Sequence, residues 1–198
     1  SGAMLSSIKR SGYYCAENWV SPTICKDLRT IIDERNLQGL FKPAGVGKGP
    51  NFVINEQIRS DSILWVENQP QNPLVSNYLS FVKGIIPKLN RYFFLPIKDV
   101  ELMFALYEPG SHYTKHKDRF ESQPHRLFTI ILYLTDWDET CGGELVLFLP
   151  ERKEVITPKE GTLLIFNSEL EHEVLITHTN RYSITGWLTD VPLGLSFL

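Results

Sequence analysis

Between residues 100 and 188 the chain is a succession of short apolar runs: VELMFALYE, HRLFTIILYLT, GELVLFL, EVITP, GTLLIFN, EHEVLIT and RYSITGWL. They are rich in β-branched and aromatic residues and are separated by Gly, Pro, Asp and Asn, the composition of strands and their turns. No helical periodicity separates these seven runs, which suggests an antiparallel sandwich or barrel and not a sheet wound by crossover helices.

Upstream the pattern changes. In SPTICKDLRTIIDERN, Ser21 is a natural N-cap and Pro22 suits the first helical position. Ile24, Leu28, Ile31 and Ile32 recur at helical spacing, which predicts a helix over about 22–36. NPLVSNYLSFVKGIIPKLNRYFF puts Leu74, Tyr78, Phe81, Val82, Ile85 and Leu89 on one face of the longest helix, with Pro87 as a candidate kink. Between the two, AGVGKGPNFVINEQIRSDSILWV is Gly-rich and then strand-like, suited to a mobile loop or hairpin. It lacks the Gly-Lys-Ser/Thr ending of a phosphate-binding P-loop. CGGEL reads as a strand-entry turn, since no parallel βαβ unit surrounds it to make a dinucleotide site.

The expected organisation is therefore one mainly β domain over residues 5–198, with helical support at about 20–95, a barrel at about 98–190 and no linker between them. The leading Ser-Gly-Ala-Met, residues 1–4, reads as an expression scar outside the fold, and no signal peptide follows it. A net charge of −3 without a Lys/Arg tract argues against a nucleic-acid partner. No apolar run has the length of a membrane span. Cys15, Cys25 and Cys141 are odd in number and lack CxxC spacing, so a disulfide framework or zinc ribbon is not expected and a reducing cytoplasm fits. A monomer is the default.

The chemistry concentrates in HYTKHKDRF, residues 112–120. On a strand, residues i and i+2 share a face, so His116 and Asp118 project together while Lys117 points to solvent. His172, at the head of another expected strand, is the natural source of a second imidazole. Two histidines and one carboxylate on one face leave three coordination positions open, the arrangement of non-haem Fe(II) oxygenases. An isolated His-x-Asp is common, and the remaining histidines His112, His125 and His178 read as loop residues. His112 and His116 are four apart, but the segment is not helical and has no HExxH glutamate. Arg181 sharpens the pattern. It opens RYSITGWL nine residues after His172, and an Arg in an apolar barrel strand is costly unless an anion meets it. The anion is either Glu171 or Glu173 in a structural ion pair, or the far carboxylate of a dicarboxylate co-substrate.

YEPGSHYTKHKD, HRLFTIILYLTDWDETCGGELVLF, GTLLIFNSELEHEV and RYSITGWL together resemble the Fe(II)- and 2-oxoglutarate-dependent dioxygenases, and within them the prolyl hydroxylases of the hypoxia-factor type and their bacterial relatives. The resemblance covers residues 100–188 and extends to AGVGKG and IRSDSILWVE, similar to the segment those enzymes fold over a peptide. It implies a double-stranded β-helix, a jelly-roll-like barrel buttressed by N-terminal helices. It makes His116, Asp118 and His172 the iron ligands and Arg181 the partner of the 2-oxoglutarate C5 carboxylate. Tyr133 matches a tyrosine on the same carboxylate, Tyr107 one near the co-substrate, and Thr185 adds a hydroxyl to the pocket. Asp61 and Arg126 match a pair that ties the substrate loop to the barrel, and Trp65 and Trp187 match aromatics near the substrate channel. Where the family often has Arg-Gly-Asp, this chain has Arg59-Ser60-Asp61.

The implied cofactors are Fe(II), 2-oxoglutarate and O2, with ascorbate a candidate stimulant. The implied reaction is hydroxylation of a prolyl residue, at C4, in a protein substrate, with release of succinate and CO2. The alternatives are a hydroxylase of free proline or another small molecule, a non-catalytic binding or regulatory barrel, and a cupin-like zinc or manganese protein. Nucleic-acid demethylation is disfavoured, because no second Arg follows Arg181.

Overall fold

The structure, a computed structural model, describes residues 2–47, 49–68 and 71–192. Ser1, Lys48, residues 69 and 70 and residues 193–198, which the sequence reading assigns to the scar, the AGVGKG loop, the helical support and the end of the domain, lie outside the described residues.

Three helices, α1 (Gly2–Ser11), α2 (Pro22–Leu37) and α3 (Pro73–Phe93), accompany eleven strands. The strands are β1 (Tyr13–Ala16), β2 (Lys42–Pro43), β3 (Ser62–Trp65), β4 (Asp99–Tyr107), β5 (Tyr113–His116) and β6 (Arg126–Tyr133). They continue with β7 (Leu145–Phe148), β8 (Lys153–Ile156), β9 (Leu163–Asn167), β10 (Glu171–Val174) and β11 (Arg181–Thr189). All seven apolar runs are strands. The major sheet has the order β1-β9-β6-β11-β4-β3-β2 and the minor sheet β5-β10-β7-β8, with every strand pair antiparallel. This is the jelly-roll arrangement of a double-stranded β-helix.

The helices start where the local chemistry directs. The Ser21 hydroxyl accepts from the backbone N–H of Ile24, and Pro22 opens α2. The Asn72 side chain accepts from the Leu74 N–H, and Pro73 opens α3, which runs on through Pro87. From the last turn of α3, the Asn90 side-chain amide both donates to the Ile97 carbonyl and accepts from the Ile97 N–H, which fixes the approach to β4.

The central strands of the major sheet, β9, β6, β11 and β4, are buried on both faces, which is why they read as almost continuous apolar runs and not as alternating ones. Val100, Leu102, Phe104 and Leu106 of β4, Phe128, Ile130 and Leu132 of β6, and Ile184 and Leu188 of β11 pack under the helices. The opposite face of β6 and β9 gives Ile131, Tyr133, Leu164 and Phe166, which meet Leu145, Leu147 and Ile156 of the minor sheet. On β11 the residues of this inward face are Arg181, Ser183, Thr185 and Trp187, all in one period-2 series. The space between the two sheets is therefore polar along β11 and apolar along β6 and β9.

The first four residues do not all stand outside the fold. Gly2–Met4 belong to α1, and Met4 and Ile8, four apart on one helical face, are both buried in the core under the major sheet. The strand β1, which pairs with β9 at the sheet edge, was not anticipated from YYCA.

Gly186 sits in the middle of β11, opposite Leu102 on one side and Ile130 on the other. A Cβ there would lie 2.4 Å from Leu102 Cδ2 and 2.7 Å from the Glu101 carbonyl oxygen. The contact with backbone cannot be relieved by a rotamer change. Gly186→Ala is predicted to destabilise the fold by about 1–3 kcal/mol, the cost of overpacking a filled interior. Urea denaturation of the two proteins measures it, as a lower midpoint at an unchanged slope.

Candidate metal centre

Strands β5 and β10 are antiparallel neighbours with His172 directly opposite His116, and their imidazole centres are 4.2 Å apart. Asp118 completes the group from just beyond β5. The strand ends at His116, and Asp118 lies two residues on, in a bend, buried, while Lys117 between them is exposed. The shared side of His116 and Asp118 is thus kept although Asp118 is not itself in the strand. Asp118 Oδ1 is 3.4 Å from Nε2 of each histidine, and the three candidate ligand atoms lie within 4.8 Å of one another.

Backbone carbonyls set the ring tautomers. His116 Nδ1 is 2.6 Å from the Thr114 carbonyl oxygen and His172 Nδ1 is 3.0 Å from that of Leu170. A carbonyl only accepts, so each Nδ1 carries the proton and each Nε2 turns its lone pair inward. The Thr129 hydroxyl donates to Asp118 Oδ2 at 2.7 Å, which leaves Oδ1 facing the two Nε2 atoms with its lone pairs free. Burial opposes ionisation of Asp118, but the imidazoles of His172 and His116 outweigh it and hold the carboxyl well below the usual carboxylate range. Burial lowers the His116 pKa; at His172 the same desolvation is overcome by Asp118, and its pKa is raised. Three electron-pair donors converging on a buried point repel one another unless a cation lies between them. The donor set therefore fits a divalent metal ion, and two imidazoles with one carboxylate suit Fe(II).

Beside the triad is a cavity of about 190 Å³ between the sheets. Arg181, 3% exposed, reaches into it from the start of β11. Its Nε donates to the Gly143 carbonyl at 2.8 Å, and its guanidinium carbon lies 4.7 Å from the ring centre of Tyr107 and 5.2 Å from that of Tyr133. No ion pair joins Arg181 to Glu171 or Glu173 among the described residues; Glu171 meets the exposed Lys115 instead. Tyr133 is fully buried, no acceptor takes its hydroxyl proton, and burial pushes its pKa up to about 12, so it stands as a neutral donor. A guanidinium and a phenol, both donors in an enclosed site without an acceptor between them, fit a carboxylate. Tyr107 and Thr185 line the same cavity, and Ile131 and Leu145 give it apolar walls.

Trp65, Trp187 and Arg126 also line the cavity: the two indole ring centres are 6.1 Å apart, and the Arg126 guanidinium lies 3.7 Å from the centre of the Trp187 ring. Gly45, Gly47 and Phe52, around the Val46–Val53 bridge, form one side of the opening.

The expected pairing of Asp61 with Arg126 is not found. Asp61 is buried and takes both arms of Arg59, at 2.8 and 2.7 Å, while Arg126 approaches Glu101 at 3.7 Å. Arg59 is two residues from Asp61, and its fork engages both carboxylate oxygens at once and neutralises the charge that would draw Arg126 across. Asp61 does not line the cavity, whereas Arg126, Trp65 and Trp187 do. The sequence reading missed Arg59, Tyr113, Thr129 and Gly143. Thr129 carries a signal, as the one hydroxyl in the stretch Leu127–Leu132 between Arg126 and Tyr133. Gly143 does too: its φ of +73° favours glycine, and a Cβ would lie 2.9 Å from Arg181 Cδ.

Comparison with known proteins agrees with this geometry. The model of the 2OG-Fe(II) oxygenase superfamily matches residues 102–189. A crystal structure of a Pseudomonas putida prolyl-4-hydroxylase is 30% identical, with a TM-score of 0.85, over 96% of this chain and 99% of that one. The Trichoplax adhaerens prolyl hydroxylase, solved in complex with a hypoxia inducible factor oxygen degradation domain peptide fragment, is 26% identical with a TM-score of 0.85, over 96% and 88%. A PKHD-type hydroxylase of Rippkaea orientalis is 28% identical over 102 residues, 49% of this chain and 46% of that protein. The chain thus spans less than half the length of that curated relative. It belongs to the 2OG-Fe(II) oxygenase superfamily, whose members use Fe(II), 2-oxoglutarate and O2. Within that class its structural neighbours include prolyl hydroxylases.

Two outcomes are expected. Arg181→Ala weakens 2-oxoglutarate binding about tenfold to a hundredfold, from the loss of charge-assisted hydrogen bonds worth roughly 1.5–3 kcal/mol. Calorimetric titration checks this, and an unchanged affinity refutes the assignment of Arg181. Asp118→Ala abolishes turnover of 2-oxoglutarate to succinate, because one of only three protein ligands is gone; full activity in that variant with iron present refutes the triad.

Proposed function

We propose that the protein is an Fe(II)- and 2-oxoglutarate-dependent dioxygenase that hydroxylates a prolyl residue, at C4, in a protein substrate. The observation that carries this reading is the joint presence in one cavity of the His116–Asp118–His172 group and of Arg181, whose guanidinium is backed by the Tyr133 ring, with Trp65, Trp187 and Phe52 also in the lining. The likeness to two prolyl hydroxylases across nearly the whole chain supports the choice of substrate, and one of them was solved with a peptide.

In this reading His116, Asp118 and His172 hold the metal from one side and leave its other side to the cavity. Fe(II) held there would activate O2, the oxidant, so that one oxygen atom goes to 2-oxoglutarate as it is decarboxylated to succinate and CO2 and the other to the substrate carbon. Arg181 and the neutral Tyr133 hydroxyl hold the far carboxylate of 2-oxoglutarate, and the Gly143 carbonyl aims the guanidinium. Ile131 and Leu145 keep water from the reacting end, which protects a reactive site from side reactions. Trp65 and Trp187 flank the approach and present apolar faces to a pyrrolidine ring. Arg126, held over Trp187, offers donors to a substrate carbonyl. The hairpin around Phe52 covers an extended peptide and excludes bulk solvent while it is bound.

The test is mass spectrometry of cell lysate treated with Fe(II), 2-oxoglutarate and either wild-type protein or Asp118→Ala. The reading expects one added oxygen on a prolyl residue of specific peptides with wild type only. Succinate release without any modified peptide would replace the protein substrate by a small molecule such as free proline.

A further inference from the structure

His172 and His116 are held in different ways. His172 has a side-chain exposure of 5%, and its ring meets the Phe166 ring at 4.8 Å and 68°. His116 is the last residue of β5, at the cavity side, with 16% exposure. Among the described residues its one hydrogen bond outside the triad is to Thr114, two residues away in its own strand. What packs on it is Tyr113, whose ring lies parallel to the imidazole at 9° and 3.5 Å.

Tyr113 is itself backed by a cation. The Arg59 guanidinium carbon is 4.1 Å from the centre of the Tyr113 ring. An imidazole at 3.5 Å and a guanidinium at 4.1 Å cannot share one face of a phenol ring without overlapping, so the ring is held between them. Arg59 in turn is locked by its two bonds to the buried Asp61. The backbone repeats the connection: Thr114 N–H donates to the Ile58 carbonyl at 2.8 Å, Ser60 N–H donates to the His112 carbonyl at 3.1 Å, and Arg59 and Tyr113 form an isolated antiparallel bridge. Arg59 Nη1 also reaches the Gly45 carbonyl at 3.4 Å, and Gly45 lines the cavity mouth.

We infer that Tyr113 and Arg59 are positioning residues for the metal ligand His116, forming a strut from the buried Asp61 through a cation and two stacked rings to the triad. The inference rests on the triad being a metal site. A flat ring against one face of His116 limits rotation about its side-chain bonds, so Nε2 stays aimed at the shared point; the Nδ1 bond alone fixes the tautomer but permits the ring to rock. Groups that orient a metal ligand without touching the metal affect affinity strongly, about 10–100-fold when removed. Because the same Arg59 contacts the mouth hairpin through Gly45, the position of the segment 44–61 and the orientation of His116 are set by one group.

The test uses Co(II), whose visible absorption reports ligand geometry, titrated into the intact protein under anaerobic conditions. Tyr113→Leu is expected to weaken Co(II) binding about tenfold or more and to shift the absorption bands. Tyr113→Phe, which keeps the ring, is expected to restore both to wild-type values. Arg59→Met combined with Asp61→Asn removes the pair without leaving a buried lone charge, and is expected to shift the bands in the same direction by a smaller amount. Urea denaturation confirms that each variant is folded before titration. Unchanged affinity and bands in folded Tyr113→Leu would overturn the strut while leaving the triad intact. Wild-type protein that takes up Co(II) no better than Asp118→Ala would overturn the metal site itself and the strut with it.

Discussion

The pairing of His116 against His172 across two antiparallel strands is the contact on which the rest of the site depends. It joins the segment after β4 to the return strand of the minor sheet and sets two imidazoles 4.2 Å apart. Strand pairing alone would leave each ring free to choose its tautomer. The carbonyls of Thr114 and Leu170 remove that choice, and Thr129 removes the corresponding freedom from Asp118. The outcome is three donors with nothing to donate to, a state a folded protein tolerates when a cation is the intended occupant.

The same logic governs β11. A strand with both faces covered would be expected to be apolar throughout, yet its inner series carries Arg181, Ser183 and Thr185. An unpaired buried guanidinium is expensive, and here it is met by one backbone carbonyl and two aromatic faces but by no carboxylate among the described residues. In the cavity wall it makes a second position with an unfilled demand, this time for an anion, and the unpartnered Tyr133 hydroxyl lies on the residue packed beside it. One cavity thus asks for a cation at one end and a carboxylate at the other; a metal ion answers the first, and 2-oxoglutarate, able to chelate that metal with one end and present a carboxylate at the other, answers the second.

Much of this was legible in the sequence because it follows from short-range rules. The cap at Ser21 marks a helix start, the period-2 rule puts His116 and Asp118 on one side, and the cost of burying Arg181 advertises a missing anion. What was not legible depends on tertiary choice. Whether Asp61 pairs with Arg126 or with Arg59 turns on which guanidinium can reach both oxygens, and sequence spacing says nothing of Glu101 waiting near Arg126. Tyr113 reads as an ordinary strand aromatic until its ring is seen flat against His116. Met4 was set aside with the leading residues, although its spacing from Ile8 is that of a buried helical face.

The central claim is that the triad and the Arg181–Tyr133 pair act as one site for one ligand. The most direct measurement is calorimetric titration of 2-oxoglutarate into the protein with and without Mn(II), in parallel with glutarate, which has both carboxylates but no keto oxygen. The account predicts that the metal tightens 2-oxoglutarate by about tenfold or more, some 1.4 kcal/mol, and tightens glutarate far less. Equal affinity for 2-oxoglutarate with and without metal would contradict it, and the two ends of the cavity would then have to be regarded as separate sites.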